Sequence, residues 1–102
     1  MRHLAGLLAA CIAICVAAST QAGDASVGRG LAQSRCAPCH QVAPWQREEL
    51  ANAPPFELIA RKFAGNPAML ASELRRPHRK MNFLPTPSEA EDIAEYIRSL
   101  AR

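Results

Sequence analysis

The sequence predicts an all-α domain built from three to four short helices and a proline-rich loop system. Three observations carry that class. Thr86-Pro87-Ser88-Glu89 combines a capping box with a first-turn proline, and Ile93, Ile97 and Leu100 follow at helical spacing. Phe56, Ile59, Ala60 and Phe63 fall on one face of a second helical segment. No segment alternates apolar and polar residues as a half-buried strand would.

The chain has 102 residues, which favours one domain. Its first segment reads as separate from that domain. Arg2 and His3 precede an apolar run from Leu4 to Ala18, and Thr20-Gln21-Ala22 puts small residues at the positions a signal peptidase reads. The pattern predicts a secretory signal peptide over residues 1–22, cut after Ala22, and a domain over residues 23–102. The run is short for a membrane-spanning helix, which needs about 20 residues. An uncleaved anchor is the alternative. Cys11 and Cys15 read as small apolar filler in that run. Leu8-Ala9-Ala10-Cys11 also has the form of a lipoprotein processing site, but the apolar run continues past it.

The domain then reads in order. Asp24 to Arg35 suits a short helix, capped by Asp24 or Ser26, with Val27 and Leu31 on one face. Gly28 and Gly30 weaken it; Gly28 reads either as a place for close helix approach or as a frayed start. Gln41 to Pro55, with Pro44, Pro54 and Pro55, reads as an irregular loop. A helix follows from Phe56 to Ala64 and stops at Gly65. Asn66 and Pro67 cap and open "AMLASELRR", and Pro77 ends it. "HRKMNFLP", residues 78–85, reads as extended. In the last helix Glu89, Glu91 and Asp92 lie near the positive dipole end, and Arg98 and Arg102 near the negative end.

The formal net charge of +3 is too small for a nucleic-acid partner, which needs a strongly basic face. Beyond the signal segment two cysteines remain, in Cys36-Ala37-Pro38-Cys39-His40. A structural zinc site needs four ligands, usually in two pairs, and only Cys36, Cys39, His40 and His78 are available. A thioredoxin-type dithiol needs a βαβ setting that is absent. A disulfide is possible after export but leaves His40 without a role. Covalent c-type haem uses all three side chains: Cys-x-x-Cys-His is its attachment signature. The thiols add to the two vinyl groups, and the adjacent imidazole reaches the iron. A tethered apolar ring also supplies core to a domain too small to bury much of its own. The expectation is one covalent haem c.

Iron held by His40 takes a second axial ligand or stays open. Met69 lies among Leu70 and Leu74, where core packing explains it. His78 is flanked by Arg76, Arg79 and Lys80, which suits a solvated position. Met81 lies in the extended segment before the last helix, where a loop can lay its thioether on the ring face opposite His40. Met81 is the expected ligand, with His78, Met69 and an open site as the alternatives.

With those residues in place, the sequence resembles a small class I bacterial cytochrome c over most of residues 23–102. The matching features are Cys36, Cys39, His40, Met81, "APPFELIARKF" and the closing "EDIAEYIRSL". The resemblance implies a cytochrome c fold, with first and last helices crossed beside the haem and Gly28 and Tyr96 at contact positions. It implies that the Pro54 carbonyl accepts the N–H of His40, fixing its tautomer, and that Phe56 lines the haem. Trp45 and Arg47 read as propionate donors, or as packing and surface residues respectively. Two departures are Asn82, where many relatives have proline, and Ala32, where many have an aromatic residue.

The expected function is single-electron transfer in the periplasm between redox partner proteins, without enzymatic activity. One haem motif and no distal acid–base pair argue against a peroxidase. The protein is expected to be a monomer or one subunit of a redox complex, without membrane association once the signal is cut. Arg75, Arg76, Arg79 and Lys80 read as a steering patch for an acidic partner, or as a solvated helix end. The alternatives are a gas-binding or sensing haem protein with a weak or open sixth site, and a haem subunit of a dehydrogenase or oxidase.

Overall fold

The computed structural model describes residues 11–14, 23–46, 53–78 and 82–101. The described residues hold four helices and no strand: α1 (Ala25–Leu31), α2 (Phe56–Lys62), α3 (Pro67–Leu74) and α4 (Pro87–Ser99). The all-α class is therefore observed. Most of the signal segment expected over residues 1–22 lies outside the described residues. No described helix is long and apolar enough to cross a membrane.

Asp24 starts α1. Its carboxylate accepts from Ser26 N at 2.9 Å, Val27 N at 3.3 Å and Ser26 Oγ at 2.7 Å. These hydrogen bonds, the one from the Ser26 side chain foremost, hold the Asp24 carboxyl below its usual range. The helix runs straight into one π turn, Ala32–Cys36, in which Ala37 N reaches Ala32 O at 2.9 Å. Ser34 Oγ donates back to Gly30 O at 3.0 Å, a bond that competes with regular helical pairing. The wider winding keeps Cys36 on the same side as Gly28 and Ala32, and all three are buried.

The packed face differs from the expected one at Val27, whereas Leu31 packs against the core as the spacing predicts. Val27 is 48% exposed, and the line through Gly28 and Ala32 faces the core instead. Gly28 reads as a contact residue, because a Cβ there would lie 1.9 Å from the carbonyl oxygen of Asp92. A Cβ on Gly23 would lie 2.1 Å from the carbonyl oxygen of Glu91. Backbone thus rests on backbone where α1 crosses α4. Asp24 N donates to Asp92 Oδ1 at 2.8 Å and fixes the register of the crossing. Ala32 is fully buried, and its small side chain suits the same close approach.

α4 is the central element. Thr86 accepts from Glu89 N at 3.2 Å, and Glu89 accepts from Thr86 N at 3.0 Å, completing the capping box. Ala90, Ile93, Ala94, Tyr96 and Ile97 make a broad buried face that receives α1, α2 and α3. α2 presents Phe56 and Ala60 to that core and leaves Leu58 half exposed, as the spacing predicts. Gly65, at φ +80°, turns the chain in a conformation that glycine adopts without strain. Asn66 Oδ1 then caps α3 by accepting from Met69 N at 3.0 Å. α3 buries Leu70, but Met69 is 55% exposed. Core packing therefore does not explain Met69, which lies one residue off the buried stripe.

Gly28→Ala should lower stability by about 1–3 kcal/mol or more, because the helices must separate to admit the methyl group. Gly30 has open space around its Cβ direction, so Gly30→Ala should stabilise by about 0.5–1 kcal/mol. Urea midpoints of the two variants check the opposite signs. Thr86→Ala should cost about 1 kcal/mol in the same assay through loss of the cap.

Candidate functional site

The turn leaving the π helix carries the candidate residues. His40 N and Cys39 N both donate to Cys36 O, at 2.9 and 3.1 Å, which folds Cys36 to His40 into one compact turn. Two bonds hold the chain beyond it. Tyr96 Oη donates to Val42 O at 2.6 Å, and Phe56 N donates to Gln41 O at 2.9 Å. Burial raises the Tyr96 phenol above its ordinary pKa, which preserves it as a donor.

His40 is 7% exposed and is the buried polar side chain among the described residues. Its Nδ1 lies 2.7 Å from the carbonyl oxygen of Pro54. A carbonyl only accepts, so Nδ1 carries the proton and Nε2 keeps a free lone pair. The Phe56 ring packs against the imidazole at 5.3 Å between centroids. Tautomer and orientation are thus set by a backbone oxygen and an aromatic ring, the arrangement that prepares an imidazole to bind a metal.

His40 and Cys36 open on one cavity of about 370 Å³. Phe56, Leu70, Phe83, Pro85, Ile93 and Ile97 form most of its apolar wall. Lys62, Glu73, Arg76 and His78 add charged and polar groups to its lining. Phe83 is held from behind by the Arg35 guanidinium, 5.2 Å from its ring centre. A wider groove of about 720 Å³ lies between α3 and α4, and no cysteine or histidine lines it.

The two cysteines meet different surroundings. Cys36 is buried on the cavity wall, Cys39 is exposed, and both are free thiols. Burial pushes the Cys36 thiol up to about 11. A redox dithiol needs a lowered thiol pKa, so this environment is the opposite of a thioredoxin-type site. Among the described residues no three His, Cys, Asp or Glu side chains gather as a metal site. Within that part of the chain, the donors a closed zinc site requires are not assembled.

The donor set and the cavity together fit a flat apolar group. One buried thiol, Cys36, and one prepared imidazole, His40, lie on the wall of an apolar space, and the exposed thiol of Cys39 sits in the same turn. Met81, the expected second ligand, and Arg47 lie outside the described residues, as do Arg79 and Lys80. Trp45 is 61% exposed, with the Arg29 guanidinium 5.1 Å from its ring centre, and does not pack in the core. His78 is exposed to solvent as expected, yet it also lines the cavity, with its ring 5.9 Å from that of His40. The walls contributed by Lys62, Leu70 and Phe83 were not marked by any local motif. Only Phe83 had a signal, its closeness to Met81 in sequence.

No protein-family model matches the chain, and neither does any curated protein or solved structure.

In the protein with both thiols free, at mildly alkaline pH, iodoacetamide should modify Cys39 at least about tenfold faster than Cys36. Modification of Cys36 should keep rising with pH until about 11, where its thiolate forms. Peptide-level mass spectrometry of a pH series checks both statements.

Proposed function

We propose that this chain is an exported c-type cytochrome of the small class I kind, which carries single electrons between redox partner proteins of the periplasm. The observation that carries the reading is the state of His40. Its Nδ1–H is bound to Pro54 O, and its ring stands on the wall of an apolar cavity that also holds Cys36. That combination has a clear use when one haem is attached there, since it leaves Nε2 free for iron.

Haem bound at this site supplies an iron that gains and loses one electron without a chemical substrate. The chain's own residues do the rest. Cys36 and Cys39 would hold the group through thioethers, and His40 would give the iron a nitrogen ligand. Met81 would give a sulfur ligand, a pairing that raises the reduction potential relative to two histidines. Phe56, Leu70 and Ile97, on the cavity wall, would keep water from the bound group, which favours the state of lower charge. Arg75 and Arg76 are exposed after α3, Arg76 lines the cavity, and the pair suits an acidic partner surface. Export accounts for the first segment, and nucleic acid has no part in this reading.

Expression with the native leader in cells competent for c-type haem maturation tests the proposal. The periplasmic protein should carry a haem that survives denaturing electrophoresis. Cys36→Ser/Cys39→Ser should abolish that stain, and His40→Ala should lose the low-spin spectrum. Covalent haem persisting in the double-serine variant would remove the basis of the reading.

A further inference from the structure

His78 has no role in the reading so far, although it shares the cavity with His40. The two imidazole centroids are 5.9 Å apart and their planes differ by 32°. Metal–imidazole bonds run about 2.0–2.1 Å, so two imidazoles on opposite sides of one ion stand with centres roughly 6 Å apart. The observed separation of 5.9 Å is compatible with such a pair. Pro77 brings this about: it ends the turn after α3 and sends residue 78 along the cavity mouth.

The other candidate donors among the described residues do not compete. Met69 is exposed on α3 and does not line the cavity. Lys62 lines it, but an ammonium has no lone pair to give near neutrality. Glu73 is engaged at the surface with Arg76, 3.8 Å away. An imidazole keeps a nitrogen lone pair near neutral pH and binds iron well.

Resting on the proposed haem reading, we propose that His78 is a second distal ligand, which takes the iron face opposite His40 whenever Met81 is not bound. The chain then has two ligation states of different potential. His/Met is the higher and His40/His78 the lower, because a thioether favours ferrous iron more than an imidazole does. No bond of the protein is made or broken except the iron–ligand bond, and the electron count of the iron is unchanged by the exchange.

The test uses the full exported holoprotein and three variants, Met81→Ala, His78→Ala and the double variant. Ferric absorption and electron paramagnetic resonance report the ligands. The parent and His78→Ala should both show the weak far-red band of sulfur ligation. Met81→Ala should lose that band, remain low-spin with a two-imidazole signature, and have a lower potential than the parent. The double variant should turn high-spin, and added imidazole should restore its low-spin spectrum, which shows that its fold is intact. A high-spin Met81→Ala protein, or a double variant that stays low-spin without imidazole, overturns the role of His78 and leaves the haem reading standing. A parent protein without covalent haem removes the haem reading itself, and the inference with it.

Discussion

The whole arrangement depends on α1 lying against α4 with no side chain between their backbones at Gly28. Contact at that distance leaves little freedom in how the helices cross, and Asp24 N bound to Asp92 Oδ1 fixes the register. Once α1 is placed, so is the π turn that continues it, and so is Cys36. The exit from the turn is held by the same helix, through Tyr96 Oη and Val42 O. α4 contributes no candidate ligand, yet it positions both sides of the turn that does.

The second constraint is shortage of core. The buried residues are few and many are small: Ala32, Ala43, Ala60, Ala90 and Ala94 stand beside Ile93, Ile97 and Phe56. Large side chains that might fill the centre instead surround an apolar space. The energetic sense is that the walls of that space lack partner atoms, so dispersion contacts are left unmade there. His40 is tolerated in that setting because its one protonated nitrogen is satisfied by Pro54 O.

The sequence was most informative where a local rule has a local cause. Thr86 to Glu89, Asn66 with Pro67, and Gly65 signal their own backbone conformations, and each appears where the pattern put it. The all-α class and the buried faces of α2 and α4 follow from spacing alone. The face of α1 was only partly legible: Leu31 packs against the core, Val27 does not, and the closest contact is made by Gly28, which the pattern left open between a close approach and a frayed start. Met69 was misjudged for a related reason: an apolar residue beside Leu70 is not necessarily on its side of the helix. Cys36, Cys39 and His40 were legible as a motif, and the partner oxygen of His40 through the resemblance to a family. The cavity was not legible, since its walls come from α2, α3, α4, the π turn and the segments between them, which only the fold assembles. His78 illustrates the gap, as charged neighbours in sequence say nothing about a ring across the cavity.

The crossing of α1 on α4 also sets an order of events in time. The two partners in that contact are 68 residues apart at Asp24 and Asp92, so the closing element reaches its place only after nearly the whole chain has been delivered. Until then α1 has no surface to rest on, and Cys36 has none to hide against. Its sulfur is covered only in the finished chain. Late arrival of α4 therefore acts as a delay, during which Cys36 stays open to solvent before the fold closes over it.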